Sequence, residues 1–186
     1  MKRRNFILLT LAAYPLAVLG KLKTVIMRDD KGFKVSSGEG RYHGHIQLKG
    51  VNSNILDVKV SGKDTDGDIA VFEQTSISQG RGTPLHLHYS QDEIFYVLEG
   101  EYLFLSGEQK YQLKVGDSIF LPRMVPHAWT QASEKGKMTV ILQPAGKLEN
   151  FFLTMSSMEK EPTPEEIAKV FEDNDMKVVG PPLKLE

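Results

Sequence analysis

The chain has 186 residues, with 23 lysines and arginines against 24 aspartates and glutamates, a net charge of −1, and no cysteine. That length suits one domain with short extensions and buries a real core without disulfides. The missing thiols exclude a disulfide framework, thiolate metal ligands and a cysteine nucleophile, and the balanced charge, with no basic block in the body of the chain, argues against nucleic acid as a partner.

Residues 1–20 read as an export signal or membrane anchor. Lys2, Arg3 and Arg4 precede an apolar run, Phe6 to Leu19, that is too short to span a bilayer comfortably and suits the hydrophobic region of a signal. Arg3-Arg4-Asn5-Phe6-Ile7 also resembles a twin-arginine signal, the kind that exports folded proteins. The expectation is a bacterial periplasmic protein, with a membrane contact only if the segment stays uncleaved.

Residues 21–147 read as one all-β unit. Thr24 to Lys34 mixes apolar and charged residues and is open to adding a strand or to lying across the barrel, and Gly38 to Gly40 opens a turn. His43 and His45 lie two apart with no third ligand at a suitable spacing, which favours a strand or pocket-rim role over a second metal pair. Ile55 to Val60 alternates as a half-buried strand, and Asp66-Gly67 is a hairpin turn into the strand Ile69 to Ile77. Short strands follow at Ile94–Leu98, Tyr102–Ser106, Tyr111–Val115, Ser118–Leu121, Ala128–Gln131 and Met138–Gln143, separated by glycine turns. This is the pattern of a closed antiparallel barrel.

Two blocks inside that unit carry chemistry: Gly80-x5-His86-x-His88-x4-Glu93-x6-Gly100 and Gly116-x5-Pro122-x4-His127. Residues two apart on a strand share a face, so His86 and His88 point the same way. Three imidazoles and a carboxylate suit a divalent transition metal. The blocks closely resemble those of the cupin family over Ile69 to Pro144, with Met124 where that pattern has a glycine and Gln131 where it ends in asparagine. The resemblance implies a double-stranded β-helix, the cupin jelly-roll barrel, with His86, His88, Glu93 and His127 as metal ligands. Open coordination positions favour iron, manganese, nickel or copper over zinc.

Strand alternation puts Trp129 and Gln131 on the face of His127, and Phe95 and Val97 on the face of Glu93. Phe95, Trp129 and Gln131 are therefore the candidate substrate pocket, with plain barrel core as the other reading of Phe95, Val97 and Trp129. Likeness to quercetin-dioxygenase-like cupins implies a metal-dependent dioxygenase for a small enol or catechol-like molecule, with Glu93 also accepting the substrate proton. The alternatives are isomerase or lyase chemistry on a sugar or keto acid, and non-catalytic capture of a small metabolite.

Residues 148–186 form an extension. Thr163-Pro164-Glu165-Glu166 is a capping box, and Ile167, Val170 and Phe171 make an apolar stripe, so a short helix is expected on the outside of the barrel. Phe151 and Phe152 pack the extension down or, alternatively, serve the interface of a homodimer, and Gly180-Pro181-Pro182-Leu183 ends the fold as an extended tail. The short interval between the two blocks leaves no insertion to roof the barrel, so any lid must come from the termini or a partner subunit.

Overall fold

The computed structural model describes residues 31–185, so the expected export segment and most of the Thr24–Lys34 stretch lie outside the described residues. Among the described residues no helix is long and apolar enough to cross a membrane. In chain order the strands are β1 (Ile46–Gln47), β2 (Ile55–Val60), β3 (Ala70–Ser76), β4 (Pro84–His88), β5 (Asp92–Glu99), β6 (Glu101–Ser106), β7 (Gln109–Lys114), β8 (Ser118–Leu121), β9 (His127–Gln131) and β10 (Gly136–Gln143). Two helices, α1 (Leu148–Ser157) and α2 (Pro164–Asp173), and a last strand, β11 (Met176–Pro182), complete the order.

The strands form two antiparallel sheets, ordered β1-β2-β3-β10-β5-β8 and β11-β4-β9-β6-β7. Strict alternation of buried and half-buried residues along β3 and β10 shows why: each strand has one apolar face, and the two sheets bury those faces against each other. Phe72, Val97, Tyr102, Phe104, Met138 and Leu142 are fully buried there. Phe95 meets Phe104 edge-on at 5.1 Å, and Tyr102 meets Trp129 at 5.9 Å. The Tyr102 hydroxyl donates to Ser76 Oγ at 2.8 Å, so the core's polar tip is satisfied. This is the expected jelly-roll barrel.

The turns follow the local chemistry. Asp66 and Gly67 take positive φ values of 55° and 82° between β2 and β3. Met124 takes φ 65° in the turn before β9. The turn that a glycine would make is thus kept by methionine, whose amide donates to the His88 carbonyl at 2.8 Å. Asp92 holds the same turn by accepting from the Arg123 backbone and guanidinium at 2.6–3.0 Å.

The C-terminal extension departs from expectation. Helix α2 begins at the expected capping box, with Thr163 and Glu166 bonded reciprocally. It does not lie on the outside of the barrel. Phe171 packs edge-on against His86 at 5.1 Å and against Phe151 of α1 at 4.8 Å, which places the helix pair over the barrel mouth. Burying an aromatic ring against the otherwise open end of the core is what the stripe needed. The Gly180-Pro181-Pro182 tail is also more than a tail, because β11 pairs along β4, with Val178 opposite His86 and Met176 opposite His88. Its prolines are tolerated because β11 is the edge strand of its sheet.

Candidate metal centre

Strand β4 alternates so that Pro84, His86 and His88 are buried while Leu85 and Leu87 are half-buried. His127 opens β9 directly opposite His86 in the ladder. Glu93 comes from β5 in the other sheet, buried on the same face as Phe95 and Val97. The two sheets thus bring His86, His88, Glu93 and His127 together, all buried, with one ligand atom from each lying within 4.8 Å of the others.

The protons can be placed from the partners. His86 Nδ1 lies 2.8 Å from the Pro84 carbonyl and His127 Nδ1 lies 3.0 Å from the Val125 carbonyl. A carbonyl only accepts, so both Nδ1 atoms carry hydrogen and donate. For His88 the partner is Gln91 Oε1 at 3.2 Å. The amide orientation of Gln91 is fixed because its Nε2 donates to the carbonyls of Ala145 at 2.7 Å and Pro144 at 3.3 Å. His88 Nδ1 is therefore also a donor, and in all three rings Nε2 is the nitrogen left to ligate.

Glu93 Oε2 stands 3.3 Å from His127 Nε2 and 3.7 Å from His88 Nε2. These separations resemble ion pairs, yet His127 Nε2 is buried with no hydrogen-bond partner. A buried polar atom without a partner costs on the order of 1–3 kcal/mol. A cation resolves the conflict. Burial holds the His86 pKa well below its ordinary value, aided by repulsion from His127 and His88. His88 is lowered chiefly by burial as well, against the attraction of Glu93. Neutral imidazoles are the form that ligates. The donor set, its tautomers and its orphaned atom all fit a transition metal ion.

A cupin domain model matches residues 73–143, the segment that carries all four of these residues. The chain contains a cupin domain. The chain is 33% identical over 93 residues to quercetin 2,3-dioxygenase of Bacillus subtilis, covering 50% of this chain and 27% of that protein. It is 44% identical over 48 residues to an uncharacterized protein of Methanocaldococcus jannaschii, covering 26% of this chain and 38% of that one. The chain thus spans well under half the length of either relative. Among solved structures, an RmlC-like cupin from Shewanella frigidimarina aligns with a TM-score of 0.49 at 17% identity, over 64% of this chain and 96% of that one.

Beside the four ligand-type residues the cupin barrel holds a cavity of about 40 Å³, on the order of a few water molecules. Phe95 and Trp129 line it. Gln131 does not. Its parity on β9 is that of His127, but four residues at about 3.3 Å each carry it roughly 13 Å along the strand. There it accepts from the Ser78 amide at 2.8 Å and donates to the carbonyls of Ser76, Ser133 and Glu134 at 3.0–3.2 Å. It is a buried strap for two turns, not a pocket residue. Val97, fully buried, belongs to the core.

Several lining residues were not legible from the motifs. Asn52, Gln74 and Thr83 supply polar groups, and Phe151, Phe152 and Met155 of α1 join Phe171 and Met176 as the cap. Sequence parity cannot find them, because they reach the cavity from other elements. His43 and His45 do not pair with each other. His43 sits in a left-handed turn at φ 66° with Nε2 3.0 Å from Glu149 of α1, and His45 lies 2.7 Å from Asp57. His43 therefore ties the loop before β1 to α1.

Proposed function

We propose that the chain holds one divalent transition metal through His86, His88, Glu93 and His127 and oxygenates a small electron-rich molecule, an enol or catechol-like compound. The observation that carries the reading is the convergence of three imidazoles and a carboxylate beside an aromatic cavity wall of Phe95, Trp129 and Phe171. The likeness to quercetin 2,3-dioxygenase over 93 residues supports the same chemistry. When bound, the metal supplies a Lewis-acid centre with positions open to a substrate oxygen and to dioxygen.

The protein's own part is positioning and proton handling. Pro84, Gln91 and Val125 hold the Nδ1 atoms of the three histidines, so each neutral ring keeps its Nε2 lone pair for a ligand. Glu93 is the buried carboxylate nearest the imidazoles and is the group that takes the acidic proton of an enol or phenol. Apolar walls exclude bulk water, which protects an oxygen-reactive anion from reprotonation. The cavity is smaller than any aromatic substrate, so admission requires cap side chains to move.

The test is metal analysis of the isolated protein followed by oxygen-electrode measurements with an enol and catechol panel. Oxygen uptake that depends on metal and substrate, and that falls in Glu93→Gln while substrate binding persists, is the expected result. Metal-loaded protein that consumes no oxygen yet isomerises a sugar or keto acid would overturn the reading.

A further inference from the structure

We infer that Gln91 is a positioning residue that couples metal binding at His88 to closure of the cap. The inference rests on the metal-binding part of the reading above and not on oxygenation. Gln91 is almost wholly buried and uses both ends of its amide. Oε1 accepts from His88 Nδ1 at 3.2 Å, and Nε2 donates to Ala145 at 2.7 Å and Pro144 at 3.3 Å. Residues 144–147 are the whole connection from β10 to α1, and α1 carries Leu148, Phe151, Phe152 and Met155 into the cavity wall. A single side chain thus spans from a ligand imidazole to the root of the cap.

The connection is built around that amide. Gly146 takes φ 52°, and a Cβ there would overlap the Gln91 side chain, so the turn wraps it with no space to spare. The Ala145 amide donates to the Gly67 carbonyl at 2.9 Å, which pins the turn from its other side. With His88 held on a metal through Nε2, its Nδ1–H becomes a stronger donor and fixes the Gln91 carbonyl. The other end of the planar amide is then fixed toward Ala145. By linkage, whatever the metal contributes to closing the cap, a closed cap contributes to metal affinity.

Cobalt(II) is the probe, titrated into the full chain against a competing chelator. Hydrogen exchange of residues 145–155 is followed with and without the ion. In the native chain, exchange of this segment should slow roughly 5-fold or more on cobalt binding, the lower end of ordinary coupling between sites. The near-isosteric Gln91→Met should bind cobalt roughly 10- to 100-fold more weakly. At cobalt concentrations that saturate it, the variant should show a shifted ligand-field spectrum and no slowing of exchange in residues 145–155. An affinity within about twofold of native, or cobalt-linked slowing that survives in Gln91→Met, would overturn the inference. The native measurement decides on its own if the variant does not fold: cobalt that binds without slowing residues 145–155 also overturns it. A native chain that binds no cobalt removes the metal reading and this inference together, whereas failure of the oxygen assay leaves both untouched.

Discussion

Replacing Phe171 with alanine tests the placement of the C-terminal helix over the metal site. The ring is 2% exposed and makes two edge-on contacts, with His86 at 5.1 Å and Phe151 at 4.8 Å. Full burial of such a side chain contributes about 1.5–3 kcal/mol, and each aromatic contact adds about 0.5–1.5 kcal/mol. The expected loss is about 3–5 kcal/mol, which matches the general cost of truncating a core phenylalanine. Urea unfolding of the metal-free protein should show it as a lower midpoint at unchanged slope, and thermal unfolding as a fall of roughly 10 °C. The void opens beside a ligand imidazole, so release of bound metal to a chelator should also become faster. A helix lying on the outer surface would affect stability without affecting release. An unchanged unfolding midpoint together with an unchanged release rate would refute the contact between Phe171 and His86.

Two further substitutions probe the turn that precedes His127. Met124→Gly should stabilise the chain by about 0.5–1 kcal/mol, because relief of the left-handed backbone, about 1–2 kcal/mol, exceeds the added freedom of glycine in the unfolded chain, about 0.5–1 kcal/mol. The Met124 side chain is 57% exposed and little burial is lost, so a fall in the urea midpoint would contradict the strain. Asp92 is held down to about 2 by its bonds to the Arg123 side chain and backbone. A carboxyl depressed in the folded state adds stability above its unfolded value of about 3.9 and loses it as pH falls through the folded value. Asp92→Asn should therefore lower the melting temperature at pH 5–7, with the gap to native narrowing between about pH 4 and 2; a gap independent of pH would argue against the ion pair as its source.

The barrel and its four ligand-type residues were legible because both depend on local rules. Alternation along β4 puts His86 and His88 on one face whatever surrounds them, and alternation along β5 does the same for Glu93 and Phe95. Parity has no reach, however, and Gln131 shows the consequence: the right face, but too far along the strand to meet the cavity. The capping box at Thr163 correctly started α2, while α1 had no comparable mark because Lys147 makes no side-chain cap. The destination of α2 was illegible for a different reason. An apolar stripe states that a helix must cover something, and only the tertiary structure shows that Phe171 covers His86, far away in the chain. Gln91 was hidden in the same way, since its acceptors Pro144 and Ala145 lie more than fifty residues on.

The cap sets how the site can be reached. Leu148, Phe151, Phe152, Met155, Phe171 and Met176 are all less than 9% exposed and all line the cavity. At about 1.5–3 kcal/mol each, lifting all six into water would cost roughly 9–18 kcal/mol, comparable to the entire stability of an ordinary domain. Undocking the whole extension is also opposed by β11, whose pairing with β4 supports the strand of His86 and His88. Entry therefore has to use a smaller movement. Phe171 is the cap ring that touches His86, and it stands on α2, outside the β11 ladder. A site opened by one or two side chains admits flat or slender molecules before bulky ones. Beside the ligand-type residues the polar lining of the cavity is Asn52, Gln74, Thr83 and Trp129, whose indole N–H is a donor, so a small and largely apolar molecule is matched there better than a heavily hydroxylated one.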